Sequence, residues 1–445
     1  MTADAGHQAA RTLAAHGVDT LFTLNGGHLW PLYYGARAAV VQLVDTRHEQ
    51  TAGFAAEGWA KVTRGVGAAA LTAGPGVTNG VSAVTTAHLN GSPVLVLGGR
   101  APQGRWGVGS LQELDHVPIV ASITKRATTA TKPDAVATEL DAALTAARTP
   151  HRGPTFVDVP LDAWGPTERP LPEPPPVGTI PGKAPDPGAV ASVARLVAAA
   201  RRPVLFLGGD VYWAGADDEV AAFATEARLP VFVNDLARGL LPADHELAFA
   251  RARGLAFERA DLVVVAGTPL DFRLGFGSFG DASVVHLVDS RETLARHVEL
   301  AGSAAGDLRR IFGLLAEHGP GDRGARGERD AWVATLRDEE RTRRAADEER
   351  LHAATTPIDP VRVYGELASR LDRDAIVVGD GGDFVSYAGR YVDTFTPGCF
   401  LGPGPYGCLG VGMGYALAAS LAHPDRQVVA LFGDGALGFT LGDLD

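Results

Sequence analysis

At 445 residues, with 46% hydrophobic and 21% charged side chains, the chain has the composition of a globular protein and room for about two to four domains. A formal net charge of −12 at pH 7 excludes the basic footprint of a nucleic-acid binder and attraction to an anionic membrane surface. The two cysteines, Cys399 and Cys408, are too few for a disulfide framework and wrongly spaced for a zinc site. No segment combines a basic start with a long apolar run, and no apolar stretch reaches spanning length, so a cytoplasmic protein is expected.

Residues 1–165 alternate β-rich and alanine-rich stretches. Strands are expected at Thr20–Leu24, Val40–Asp45, Ala68–Ala73, Pro93–Gly98 and Thr155–Val159, with helices such as Thr51–Val62 and Val81–Leu89 between them. That alternation predicts an α/β domain with a doubly wound, mainly parallel sheet. Thr46-Arg47-His48-Glu49 closes the second strand and opens a helix. Glu49 reads in two ways. It is an acid stabilised at a helix amino terminus, or a carboxyl among small apolar residues (Ala52, Gly53, Ala55, Ala56) that can exchange a proton with a ring nitrogen. The run from Thr72 to Asn79, TAGPGVTN, is either an ordinary turn capped by Thr78 or a backbone nest pressed against a flat ligand.

Gly165 to Gly188, with PEPPP at 172–176, cannot hold a packed element and predicts a linker over 166–188. A second α/β domain, 189–318, follows, with strands at Pro203–Leu207, Pro230–Val233, Asp261–Ala266 and Ser283–Val288. Gly98-Gly99 and Gly208-Gly209 each follow a strand, but neither extends to the full G-x-G-x-x-G pattern. Arg273 and Asp289 follow later strands. They are candidates for the phosphate and ribose of a nucleotide, or for a structural ion pair. Residues 319–356, dense in Arg, Glu and Asp, are expected to form a solvated linker helix of mixed charge.

A third α/β unit, 357–445, begins with a helix to Leu371 and a strand at Ala375–Val378, which runs into Gly379-Asp380-Gly381-Gly382-Asp383. Gly407 to Gly414, GCLGVGMG, is the densest glycine array in the chain. Each glycine inside a helix costs about 1 kcal/mol relative to alanine, so the array predicts close approach of another backbone or a ligand. Leu409 projects one bulky apolar side chain from it, for a ligand or for the core. Val428–Phe432 reads as a buried parallel strand that delivers Asp434, between Gly433 and Gly435, to the carboxyl edge of a sheet. A lone carboxylate there can hold Mg²⁺ against phosphate oxygens. With fewer strands than the first domain, this unit reads as incomplete.

Arg47-His48-Glu49, the GPGVTN run, the glycine array and Gly433-Asp434-Gly435 stand in this order along the chain. Together they make the chain resemble the thiamine-diphosphate-dependent enzymes of the acetolactate synthase superfamily over essentially its whole length. LFTLNGGHLWPL, VDTRHEQTAGFAAEGWA, FARARGLAFERADLVVVAGTPLDFRLGFG and GDGGDFVSYAGR look like the branch of acetolactate-synthase-like proteins that includes 2-hydroxyacyl-CoA lyases. The resemblance implies a pyrimidine-binding domain, a central domain holding FAD or ADP, and a diphosphate-binding domain. It places the active site between the first domain of one subunit and the third of another, hence a homodimer or homotetramer.

Carried over by position, Glu49 would protonate the pyrimidine ring nitrogen and Gln112 would face the substrate. Gly26, Gly27, Pro75 and Asn79 would face the cofactor. Gly407 and Leu409 would offer main-chain groups to the pyrimidine, with the Leu409 side chain as a prop. Gly381, Gly382 and Asp383 would line the diphosphate, and Asp434 would ligate Mg²⁺ beside Gly433, Gly435 and Ala436. The implied reaction joins two pyruvates into 2-acetolactate with loss of CO2 through a thiamine-bound carbanion. The alternatives are cleavage of a 2-hydroxyacyl-CoA into formyl-CoA and an aldehyde, or a non-catalytic subunit that needs a partner chain. Three departures from the synthase pattern stand out. Gly382-Asp383 replaces a Gln-His pair, which favours the lyase-like branch. Leu409 replaces a methionine. The asparagine expected as second Mg²⁺ ligand after Asp434 lies beyond Asp445, so the expectation is either a fragment or another polypeptide that supplies that half of the domain.

Overall fold

The computed structural model describes residues 4–168, 180, 182–318 and 323–445, so the PEPPP run lies outside the described residues. They fall into two compact units: residues 1–180 with 377–385 and 401–445, and residues 181–376 with 386–400.

The first unit is built on six strands: β1 (Thr20–Thr23), β2 (Gln42–Asp45), β3 (Gly67–Leu71), β4 (Val94–Arg100), β5 (Arg126–Thr129) and β6 (Thr155–Pro160). They pair in parallel in the order β2-β1-β3-β4-β6-β5. Neighbouring residues along a strand face opposite sides. Leu21, Leu95, Leu97 and Val157 therefore enter one apolar layer, and Phe22, Val96 and Phe156 enter the other. β3, GAAAL, is buried at every residue, and its small side chains let helices approach both faces. β5 was not among the expected strands. Its sequence, RATT, carries no apolar alternation because it lies at the sheet edge, half exposed, and pairs only with β6.

The second unit holds five parallel strands, β7 (Pro203–Leu207), β8 (Val231–Val233), β9 (Leu262–Ala266), β10 (Ser283–Val288) and β11 (Gly302–Ala305), in the order β11-β10-β9-β7-β8. β11, GSAA, is again an edge strand without β-branched residues to announce it. The charge-dense stretch is a 29-residue helix, Arg323–Leu351, but it is not a solvated linker. Trp332, Val333 and Leu336 belong to the core of this unit. Arg329 is buried and donates to the carbonyl oxygens of Val197 (2.6 Å), Ala198 (3.1 Å), Ala200 (3.1 Å) and Ala227 (2.9 Å). It thus caps the carboxyl ends of the Pro187–Ala199 and Asp217–Ala227 helices, whose last carbonyls lack intrahelical donors.

The third sheet has three strands, β12 (Ile376–Asp380), β13 (Phe400–Leu401) and β14 (Val428–Phe432), in the order β13-β12-β14. β12 is fully buried. β14 is only half-buried at all five residues, which corrects the reading of a buried strand, because it lies at the edge of this sheet.

Two helices of the first unit cross closely, Glu49–Thr63 and Val411–Ala422. A Cβ placed on Gly414 would lie 2.8 Å from the Ala55 nitrogen and 2.9 Å from the Thr51 carbonyl oxygen. Gly414 is therefore a point of backbone approach, whereas Gly412 packs against Phe432 and Asp380 and Gly407 faces open space. Beside the crossing, Glu57 is 0% exposed and takes Lys61 at 2.9 Å, Asn90 at 2.8 Å, Ser92 at 3.0 Å and the Tyr415 hydroxyl at 2.7 Å. A buried carboxylate with a cation and three hydrogen-bond donors around it is tolerated; one left unpaired is not. Burial and the Glu57 charge push the Tyr415 phenol well above its usual value, so it remains a donor.

Candidate active site

Glu49 is the first residue of its helix and is 8% exposed. His48 caps that helix, its Nδ1 accepting from the Gln50 amide at 3.0 Å. Glu49 Oε2 accepts from Asn79 Nδ2 at 3.0 Å, so one carboxylate oxygen is held by a neutral donor and no cation. The flanking backbone is tied to Asp443, which accepts from the Arg47 amide at 2.6 Å and the Thr51 hydroxyl at 2.7 Å.

Asn79 ends a short helix, Pro75–Asn79, that starts from Gly74. Gly74 has φ +63°, a left-handed value that a side chain would strain, and a Cβ there would sit 2.9 Å from Gln112 Cβ. Thr78 is not the cap. Gly74 occupies that position, and the Thr78 hydroxyl bonds back to the Pro75 carbonyl at 3.3 Å. Gln112 itself has φ +59°. The Gly26-Gly27 turn lies against Thr72, since a Cβ on Gly26 would come within 2.2 Å of Thr72 Cβ. Glu49, Asn79, Pro75, Gln112, Gly26 and Gly27 are thus gathered at the carboxyl edge of β1, β2, β3 and the loops beyond β4. Gly98-Gly99 serves packing in the same region: Cβ atoms there would meet Phe156 at 2.8 Å and His28 Cβ at 2.6 Å.

A second cluster stands at the ends of β12 and β14. The Gly433 amide donates to the Asp380 carbonyl at 3.0 Å, which places Gly381 beside Gly433 and Asp434. Asp434 is exposed and opens the six-residue helix Asp434–Phe439; Ala436 behind it is buried. Gly382 and Asp383 are exposed at the start of the Gly382–Tyr391 helix. Asp380 was not among the expected site residues. Its carboxylate is fully buried and accepts from the Gly412 amide (2.8 Å) and the Gly410 amide (3.1 Å). It thereby fixes the turn that carries Gly407 and the half-buried Leu409. Burial raises the Asp380 pKa above the usual carboxylate value, against the pull of the amides.

Among the described residues no hydrogen bond or ion pair joins Glu49 or Asn79 to Asp434, so the predicted residues form two clusters within this unit. Both include glycines that face open space. A Cβ built on Gly27, Gly382, Gly407 or Gly435 would meet no atom within 4 Å.

Sequence reasoning also missed a buried network under the Gly74 turn. The Gly74 amide donates to His116 Nε2 at 2.9 Å, His116 Nδ1 faces Asp158 Oδ2 at 3.0 Å, and Arg100 Nη1 reaches the same oxygen at 2.9 Å. A signal existed: Arg100 and Asp158 are ionisable residues inside otherwise apolar strands, and buried charges require partners.

In the second unit, Arg273 is held by Asp271 at 2.8 Å and by Asp235. Burial works against its charge, and the two carboxylates more than restore it, so its pKa is raised. Arg273 is thus ion-paired with Asp271 and Asp235 and not with Asp289. Asp289 is buried just after β10. Gly208 is a close-packing position, 2.6 Å from the Gly267 carbonyl oxygen if given a Cβ, whereas Gly209 is open.

Three family models match in chain order. The N-terminal TPP binding domain of thiamine pyrophosphate enzymes matches residues 3–119, their central domain 190–315 and their C-terminal TPP binding domain 380–445. The acetolactate synthase large subunit IlvG of Mycobacterium tuberculosis is 47% identical over 442 residues, covering 99% of this chain and 80% of that protein. The chain belongs to the thiamine pyrophosphate enzyme family. The 2-hydroxyacyl-CoA lyase 2 of Homo sapiens is 34% identical over 487 residues, covering 99% of this chain and 76% of that protein. The bovine 2-hydroxyacyl-CoA lyase 2 is likewise 34% identical. In this thiamine pyrophosphate enzyme the N-terminal match covers the Glu49 cluster and the C-terminal match covers the Asp434 cluster. Among the described residues no helix is long and apolar enough to cross a membrane.

Proposed function

We propose that this chain is a thiamine-diphosphate- and Mg²⁺-dependent carboligase of the acetolactate synthase type, joining two pyruvates into 2-acetolactate with release of CO2. The observation that carries the reading is Glu49: buried, first in its helix, its carboxylate accepting among the described residues from the neutral Asn79 alone. A carboxyl in that setting can hold or release a proton at a ring nitrogen without being locked to a cation. When bound, thiamine diphosphate supplies the electron sink for breaking and making a carbon–carbon bond beside a carbonyl.

The residues of the chain do the rest. Glu49 holds the proton at the pyrimidine nitrogen, and Asn79 sets the plane of its carboxylate. Gly26, Gly27 and Pro75 give the ring a flat, close wall. Gln112, held against Gly74, faces the substrate. Leu409 props the cofactor, and main-chain groups of Gly407 and Leu409 hold its pyrimidine. Gly381, Gly382 and Asp383 line the diphosphate. Asp434, between Gly433 and Gly435 and backed by Ala436, would hold Mg²⁺, a hard cation suited to oxygen ligands. Because Glu49 and Asp434 lie in separate clusters of one chain, a homodimer or homotetramer would bring the Glu49 cluster of one copy to the Asp434 cluster of another. FAD or ADP would occupy the crest of the second unit, beside Gly209 and Asp289, and the setting is the cytoplasm.

Incubation with Mg²⁺, thiamine diphosphate and pyruvate tests the reading: acetolactate is expected, and its absence overturns it. The 34% identity to 2-hydroxyacyl-CoA lyase 2 and the Gly382-Asp383 pair favour a second reading, cleavage to formyl-CoA and an aldehyde. Aldehyde release from a 2-hydroxyacyl-CoA, with no product from pyruvate, would establish it instead. Flavin absorbance of the purified protein separates FAD from ADP.

A further inference from the structure

We propose that His116 is a positioning residue: it clamps the Gly74-Pro75-Gly76 turn, and through it Asn79 and Gln112, in register with Glu49. The inference rests on the thiamine-enzyme reading for its consequence, but its geometry stands independently. An amide N–H can only donate, so the His116 Nε2 that lies 2.9 Å from the Gly74 nitrogen must present a lone pair. The ring proton then resides on Nδ1, 3.0 Å from Asp158 Oδ2. His116 and Asp158 are both 0% exposed, so water cannot substitute for either bond. Arg100 balances the carboxylate at 2.9 Å, reaches Asp115 at 3.0 Å and stacks on the Trp106 ring at 3.9 Å, which fixes Asp158 in turn. The tautomer of a buried histidine set by a carboxylate behind it is a familiar way to orient its other nitrogen.

What the clamp holds explains its place. Gly74 is in the left-handed region and abuts Gln112, which is itself left-handed and lies on the loop that leads into His116. One residue beyond Gly74 begins the short helix whose last side chain, Asn79, bonds Glu49. The turn's other hydrogen bonds are local: the Gly76 amide donates to the Ala73 carbonyl at 3.4 Å, the Thr78 amide to the Gly74 carbonyl at 3.1 Å and the Thr78 hydroxyl to the Pro75 carbonyl at 3.3 Å. Release of the Gly74 amide would therefore shift Asn79 and Gln112 together.

Two substitutions distinguish this clamp from a packing role. His116→Phe keeps a ring near Phe156 but removes the acceptor; His116→Gln loses the ring but offers a carbonyl oxygen to Gly74. Amide exchange of the peptide spanning residues 72–79 in the cofactor-free protein is expected to quicken in His116→Phe and to return toward wild type in His116→Gln. In the full enzyme, His116→Phe is expected to lower kcat by about 10²-fold through misplacement of the reacting groups, with a smaller change in pyruvate KM and partial recovery in His116→Gln. Thiamine diphosphate affinity, measured by calorimetry with Mg²⁺, should follow the same order. Unchanged exchange in His116→Phe, or losses in His116→Gln as large as in His116→Phe, would overturn the clamp. Exchange that follows the expected order while the wild type binds no thiamine diphosphate would leave the clamp intact and overturn the cofactor reading.

Discussion

The two crests that carry the candidate site residues are built very differently. The Glu49 crest rises from the edge strand β2 and the interior strands β1 and β3 of a six-stranded sheet, and its groups are held one by another: Asn79 on Glu49, Gln112 on Gly74, His116 on Gly74 and Asp158 on His116. The Asp434 crest rises from a three-stranded sheet whose edge strand is half-buried, and among the described residues no side chain bonds Asp434. The first crest is held in place by its own groups, the setting that the proton exchange proposed for Glu49 requires. The second is open, as would suit the cation and phosphate oxygens proposed for Asp434.

That contrast can be broken experimentally. The largest effect is expected from Glu49→Gln, which keeps the Asn79 contact region but cannot exchange a proton. Its kcat should fall by about 10²–10⁴-fold, with thiamine diphosphate affinity retained in calorimetry. Asp434→Ala should act the other way: the Kd for Mg²⁺ in the presence of thiamine diphosphate should rise more than about tenfold, with the stability of the cofactor-free protein unchanged in urea. If removing Asp434 destabilises the cofactor-free protein, the crest is more preorganised than its exposure implies.

The crossing beneath the Glu49 crest sets the next scale. Gly414→Leu forces a side chain into the Thr51 and Ala55 backbone and should cost about 1–3 kcal/mol of unfolding free energy, read from the urea midpoint. The smallest effect concerns Asp380. Its native pKa is raised by burial, so between the ordinary carboxylate value and the raised one the folded chain binds more protons than the unfolded chain. Its contribution to stability is then fully present below the ordinary value and is lost as pH rises through the raised one. Asp380→Asn should flatten that part of the stability profile measured by denaturant titration.

Much of the architecture was legible because local pattern and final burial agree. β3, β4, β6, β7, β9 and β10 are apolar runs, and a run buried on both faces needs no partner to be recognised. β5, β11 and β13 were not legible: edge and two-residue strands made of RATT, GSAA and FL carry too little pattern, and their pairing is decided by the neighbour strand. The charged helix Arg323–Leu351 was legible as a helix, whereas its docking through Arg329 was not. Four carbonyl acceptors drawn from residues more than a hundred positions away determine it.

By itself the sequence determined the order of three α/β sheets, the placement of Glu49 and Asp434 after strands, and the family, since strand-to-helix turns rich in glycine encode local backbone geometry. Tertiary structure alone decided what each of those residues touches. Asn79 meets Glu49, the glycine array meets the Glu49 helix, and His116 meets Gly74, because helices and turns distant in sequence are brought together only when buried polar groups find their partners.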